Sequence, residues 1–209
     1  MGNLKIVLAF VALLPISGIA QGPSSALMPE NAGGNFAALT KKALAGDTRS
    51  QLRLGTAFEF GQGVDKNFEE AMHWYRIAAD RGDPIAQTNL GYFYETGIGG
   101  SANPAEAAKW YLRAAVSGFV RAQFNLGTLY LRGAGVERND EVAAHWISEA
   151  ADAGCPTAMA ALGLLYADGV GIPRDEQKAR ELIQKAAKKD DPRLCTRYGK
   201  ATNRLDSPR

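Results

Sequence analysis

The sequence predicts an all-α protein, an α-solenoid of stacked antiparallel helix pairs, and three observations carry that prediction. Leu54-Gly55, Leu90-Gly91, Leu126-Gly127 and Leu162-Gly163 recur every 36 residues (91 − 55 = 36), with Tyr198-Gly199 one interval further on. A fixed period of roughly 20–50 residues marks a stacked-repeat architecture. Within each period, two runs of apolar residues at helical spacing flank a Gly-x-Gly turn. Helix-start signals also recur in phase: Asp83-Pro84 and Asp191-Pro192 pair a capping Asp with a proline at the first helical position.

Residues 1–20 form a separate element. Lys5 precedes an apolar run from Ile6 to Leu14, followed by Pro15 and small residues at Gly18 and Ala20. This is the charged region, apolar region and cleavage site of a secretory signal, with the cut expected after Ala20. A spanning helix needs about 20 apolar residues, and Pro15 ends this run well short of that. The expected location is periplasmic or secreted, with no membrane insertion after cleavage. Residues 21–35 hold Pro23, Pro29, Gly33 and Gly34 with little periodicity and read as a flexible linker.

The repeat array is expected over residues 36–201. A capping helix at 36–46 precedes four full copies at 47–82, 83–118, 119–154 and 155–190. A last half-copy at 191–201 and a tail at 202–209 complete the chain. In the copy at 83–118, Ala86, Leu90, Gly91 and Tyr94 share one face of the first helix, and Gly97 and Gly99 end it. The second helix opens at Asn103, with Glu106 three residues on as in a capping box, and Asn67 with Glu70 repeats that arrangement. It carries Ala107, Trp110, Tyr111, Ala114 and Ala115, and ends at Gly118. Small residues mark close helix approach, and the large aromatics fill the space between pairs. One pair leaves an apolar face open, so neighbours must stack.

Charge excludes some partner classes. Twenty-four Lys and Arg against 22 Asp and Glu give +2, and losing Lys5 with the signal leaves +1 (23 − 22). So even a balance predicts neither nucleic acid nor an anionic membrane as a partner.

Candidate chemistry is sparse. The Gly-x-Gly pairs at Gly61, Gly97, Gly133 and Gly169 follow helices, whereas a phosphate loop follows a strand and needs further glycines at set spacings. His73 and His145 occupy one column two copies apart, which stacking separates by roughly 20 Å at about 10 Å per helix pair. Shared metal ligation is excluded at that distance, and neither a metal nor a cofactor is expected. Trp74, Trp110 and Trp146 stand in core columns, so packing explains them. Cys155 lies in the first-helix N-cap column and Cys195 in the column of Met159. Export favours a disulfide between them, but bridged Cα atoms must lie within about 7 Å. A staple and two separate, partly buried thiols both stand as readings. Without Cys-x-x-Cys, redox catalysis has no motif; Ser-x-x-Lys and Gly-x-Ser-x-Gly are also missing.

The string Ala-Gln-x-Asn-Leu-Gly-x-x-Tyr, then Gly-x-Gly, then Ala-x-x-Trp-Tyr-x-x-Ala-Ala resembles the Sel-one-like repeat family, relatives of tetratricopeptide repeats with a slightly longer period. The resemblance covers residues 36–201, with Phe58 replacing the later Tyr94, Tyr130 and Tyr166, and Leu182 replacing Trp. It implies a non-enzymatic adaptor or regulator whose partner is another protein. Exported members of the family imply a range: an envelope-complex regulator, a scaffold, or an immunity protein neutralising a delivered toxin such as a secreted lipase. β-Lactamase activity ascribed to some relatives adds a peptidoglycan or β-lactam hydrolase as an alternative.

First helices of such arrays line a concave binding face. There the columns that vary between copies are the informative ones: Arg49, Ile85 and Arg121; Leu52, Thr88 and Phe124; Arg53, Asn89 and Asn125; Thr56, Tyr92 and Thr128; Phe60, Thr96 and Arg132. Arg49, Arg53, Asn89, Tyr92, Arg121, Phe124, Asn125 and Arg132 are the expected partner-binding residues, since Arg and aromatic anchors with amide hydrogen bonding suit a protein surface.

Overall fold

The computed structural model describes residues 32–188, which hold nine helices of 13 residues each and no strand. In chain order they are α1 (Ala32–Leu44), α2 (Thr48–Phe60), α3 (Phe68–Asp80), α4 (Pro84–Thr96), α5 (Pro104–Val116), α6 (Val120–Arg132), α7 (Asp140–Asp152), α8 (Pro156–Asp168) and α9 (Glu176–Lys188). First helices start at 48, 84, 120 and 156, and second helices at 68, 104, 140 and 176, so both series keep the interval of 36 (84 − 48, 104 − 68). The signal segment, residues 21–31, Cys195, the half-copy at 191–201 and the tail lie outside the described residues. Helix α1 begins at Ala32, four residues ahead of Phe36, and so takes in Gly33 and Gly34. Two glycines disfavour a helix by roughly 1 kcal/mol each, and the Phe36, Leu39 and Ala43 contacts one turn on outweigh them. No described helix is long and apolar enough to cross a membrane.

The chain divides into two compact units, with the boundary inside α5 between Trp110 and Tyr111. In the unit within residues 16–110, α2 pairs with α3, and α1 and α4 pack on either side of that pair. Gly55 sets the α2–α3 approach: a methyl group there would stand 2.7 Å from the Tyr75 ring and 3.2 Å from the Ala71 carbonyl oxygen. Tyr75 is fully buried, and its other side meets the Phe93 ring edge-on at 5.7 Å, tying α3 to the next first helix. Leu39, Ala43 and Leu54 form the core beneath α1, with Phe36, Phe58 and Trp74 against it.

The unit within residues 111–209 repeats this plan. Gly127 lies so close to α7 that a methyl group would be 2.7 Å from Ile147, and one at Gly163 would be 2.9 Å from Ile183 of α9. Ile147, Leu165, Ala143, Ala150 and Ala161 join one apolar cluster that includes Leu131 and Cys155. The Gly-x-Gly turns carry positive φ at every described copy, which only glycine adopts without strain. Their second glycines also seat the turn on the previous copy. At Gly171 a side chain would strike the Asp140 carbonyl oxygen at 1.9 Å, and at Gly99 the Phe68 carbonyl oxygen at 3.0 Å.

A side-chain cap holds the start of each second helix. Asn67, Asn103, Asn139 and Asp175 accept bonds from the amides of Glu70, Glu106, Val142 and Lys178. The reciprocal half of the expected capping box is different. The backbone N–H groups of Asn67 and Asn103 donate to the Phe58 and Tyr94 carbonyls, at 2.9 and 2.7 Å. A carbonyl from the first helix thus replaces the Glu70 and Glu106 carboxylates, and Asn139 and Asp175 use Tyr130 and Tyr166 in the same way. The Phe/Tyr column therefore closes each helix pair through its backbone.

A second recurring bond links copies. Gln51, Gln87 and Gln123 donate their side-chain amides to the carbonyls of Ala43, Ala79 and Ala115, at 3.0, 3.0 and 3.4 Å. Each reaches back eight residues to the last turn of the preceding second helix. Met159 fills that column in the fourth copy and offers no donor.

Candidate functional site

The variable columns of the first helices are the candidate site, and each unit carries its own share. In the unit within 16–110, Arg49 is exposed at the start of α2, and Arg53 is half-buried one turn on. Tyr92 is half-buried on α4, with Phe60 half-buried and Thr96 exposed at the helix ends.

Asn89 corrects the expectation. It is 0% exposed and presents nothing to an incoming protein. The cause is the burial of α4: every residue from Ile85 to Gly91 is buried, whereas α3 buries only Ala71, Tyr75, Ala78 and Ala79. A first helix flanked this closely has variable positions that face inward. Leu52, Thr56, Ile85 and Thr88 are buried for the same reason. Thr56 lies 3.2 Å from the Tyr75 hydroxyl, and the Thr88 hydroxyl returns to the Pro84 carbonyl.

In the unit within 111–209, α6 keeps more of its variable face. Arg121, Phe124 and Asn125 are half-buried and Arg132 is exposed, while Thr128 is buried. Positions 121, 124, 125 and 132 lie at i, i+3, i+4 and i+11, one stripe of a helix. Phe124 also leans on the apolar cluster. The stripe thus offers two guanidinium groups, one aromatic surface and one amide. Such a set binds carboxylates and apolar side chains and contains no nucleophile.

The remaining candidates fall away from this stripe. His73 and His145 are exposed on second helices, each beside its neighbouring tryptophan at 5.5 and 5.1 Å. Trp110 is buried, and Trp74 and Trp146 are half-buried. Cys155 is fully buried and disulfide-bonded, and its sulfur caps α8 by accepting the Ala158 amide at 3.3 Å.

The model of the Sel1 repeat matches residues 48–83, 84–118, 120–155 and 156–191, more than half of the chain. The chain belongs to the Sel1 repeat family. Sel1 repeats are helical protein-interaction modules, and the family is generally a non-catalytic scaffold. Among solved structures, a protective antigen present in uropathogenic Escherichia coli strains and displaying an SLR fold is 28% identical. That match has a TM-score of 0.75 and covers 90% of this chain and 38% of the antigen. A Sel1 repeat protein from Oxalobacter formigenes is 35% identical, with a TM-score of 0.70, and the match covers 85% of this chain and 51% of that one. The chain thus spans about half or less of the length of these relatives. No curated protein matches it. Together with the helix pairs above, these Sel1 neighbours make the fold an α-solenoid.

Sequence reasoning missed the Gln51, Gln87 and Gln123 bridges, although the column itself was a signal. A glutamine kept three times in phase has a structural partner in phase.

Proposed function

We propose that this Sel1 repeat chain is a non-enzymatic periplasmic adaptor or regulator that binds another protein through its first-helix faces. One observation carries the reading. The residues that repeat from copy to copy are consumed by packing and capping, while Arg121, Phe124, Asn125 and Arg132 vary and keep solvent access on one face of α6. Arg49, Arg53 and Tyr92 extend the same chemistry in the other unit. Arginine and aromatic anchors of this kind dominate protein-binding energy where they occur. The even charge, +2 over 209 residues, argues against a polyanion.

Export is part of the proposal. The segment from Lys5 to Ala20 has the layout of a cleaved signal, and a disulfide at Cys155 belongs to an oxidising compartment. Mass measurement of the chain recovered from periplasm tests this, with Gln21 expected as the first residue.

Affinity capture from periplasmic extract, with identification of the bound proteins, tests the function. One protein held in a stoichiometric complex supports a regulator, and a secreted toxin in that place specifies an immunity protein. Two envelope proteins recovered together specify a bridging scaffold. Turnover of a β-lactam or peptidoglycan substrate by the purified chain, with nothing captured, contradicts the proposal.

A further inference from the structure

We propose that the face of α6 takes an acidic segment of the partner protein, with carboxylates on Arg121 and Arg132 and an apolar side chain on Phe124. This inference rests on the partner-binding reading above and names the chemistry of what is bound.

Charge distinguishes α6 among the described first helices. It carries Arg121 and Arg132 and no Asp or Glu, whereas α4 carries Glu95 and α8 carries Asp168, each without Lys or Arg. Helix α2 shares the basic sign, because its Glu59 is buried against the Tyr75 hydroxyl while Arg49 and Arg53 keep solvent access. Between those two arginines, however, Leu52 is buried. Only α6 combines two arginines with an aromatic ring that reaches solvent between them.

The fold does not account for this pair. The Arg121 column holds Ile85 and Thr157 in other copies, and the Arg132 column holds Phe60, Thr96 and Asp168. Arg121 also stands in the first turn of α6, where positive charge opposes the helix dipole, so helix stability is not what places it there.

The helix packed against α6 has the opposite sign. Helix α7 carries Asp140, Glu141, Glu149 and Asp152 with no Lys or Arg, and the last three are exposed. A carboxylate is therefore drawn to the first helix of this pair and repelled by the second, which selects the docking side. A long polyanion would meet both signs, so a short acidic stretch of protein fits where a nucleic acid does not. One copy on, the Arg132 column turns acidic at half-buried Asp168, which keeps the carboxylates on α6 and off α8.

The spacing suits a segment laid along the helix. Eleven residues part the two arginines (132 − 121), roughly 16 Å of helix, and Phe124 lies between them on the same stripe. Both arginines also interact within the chain. A guanidinium has five N–H donors, so an internal contact fixes its position and leaves a fork for a carboxylate.

Selection of displayed short peptides on the full chain, followed by binding measurements on the enriched sequences, tests this. The expected peptides carry an acidic residue on each side of an apolar one. Their binding should weaken on the order of tenfold or more in Arg121→Glu with Arg132→Glu, and should return when the peptide acids are changed to Lys. That exchange of charges separates lost recognition from lost folding. Asp168→Lys should tighten the native peptides, and Phe124→Ala should weaken them. Enriched peptides without acidic residues, no enrichment, binding indifferent to both reversals, or a single-stranded oligonucleotide held as tightly would each overturn the proposal. Loss of the captured periplasmic protein in the same double-arginine variant, with no acidic peptide selected, would overturn this proposal alone. Capture unchanged in that variant would overturn the partner-binding reading with it.

Discussion

The hydroxyl of Tyr75 donates to the Glu59 carboxylate at 2.5 Å, and both residues are buried between α2 and α3. Two periods on, the same two columns hold Ile147 and Leu131, buried in an apolar cluster. The columns change together: Tyr with Glu at Tyr75 and Glu59, Ile with Leu at Ile147 and Leu131. A buried acceptor that loses its donor costs about 1–3 kcal/mol, whereas replacing both partners by apolar groups is nearly neutral. Tyr75→Phe should therefore lower unfolding free energy by that amount, and Tyr75→Ile with Glu59→Leu should recover most of it. Urea unfolding of the two singles and the double checks the coupling.

Close approach at the Leu-Gly column makes a second expectation. Gly127→Ala places a methyl 2.7 Å from Ile147 and 3.0 Å from the Ala143 carbonyl oxygen. Overpacking of this kind costs roughly 1–3 kcal/mol. Gly100→Ala, which meets nothing within 4 Å, serves as the control and should leave the melting temperature unchanged.

The glutamine bridges predict a graded effect. Gln87→Met, the residue native to this column at Met159, should cost about 1 kcal/mol by losing the bond to Ala79. Hydrogen exchange should locate the loss at the α3–α4 junction, with the α2–α3 pair unaffected.

The two aspartate caps respond oppositely to pH. The bond from Ser50, outweighing burial, holds the Asp47 carboxyl below its usual 3.8, and burial raises that of Asp83 above it. The Asp47 contribution is present above pH 3.8 and is lost as pH falls through its lowered value. That of Asp83 is present below 3.8 and is lost as pH rises through its raised value. Asparagine caps as well without the charge. Asp47→Asn should thus destabilise at pH 7 and Asp83→Asn stabilise, each within about 1 kcal/mol. In melting curves the Asp83 difference should fade as pH falls below 3.8, and the Asp47 difference should shrink only at still lower pH.

The period and the turn glycines were legible because they reflect constraints that every copy shares. Gly55, Gly127 and Gly163 meet the same obstacle on three second helices. What differs between copies was harder to read. Asn89 and Asn125 share a column, yet only Asn125 reaches solvent, because α4 is enclosed along its length and α6 is not. Variation by itself does not separate recognition from internal repacking, as the exchange of Tyr75–Glu59 for Ile147–Leu131 shows. The Glu70 and Glu106 boxes failed for a related reason: the competing acceptors, the Phe58 and Tyr94 carbonyls, come from a different helix.

Residues that build the array and residues that recognise a partner form separate sets, a division tested most directly by measuring melting temperature and partner capture together on two sets of variants. One set alters the face, Arg121→Glu with Arg132→Glu and Arg49→Glu with Tyr92→Ala; the other is Gly127→Ala. Face variants should change stability by no more than about 0.5 kcal/mol and lose the captured protein, while Gly127→Ala should melt earlier and still capture it at low temperature. Face variants that capture as well as the native chain would contradict the account.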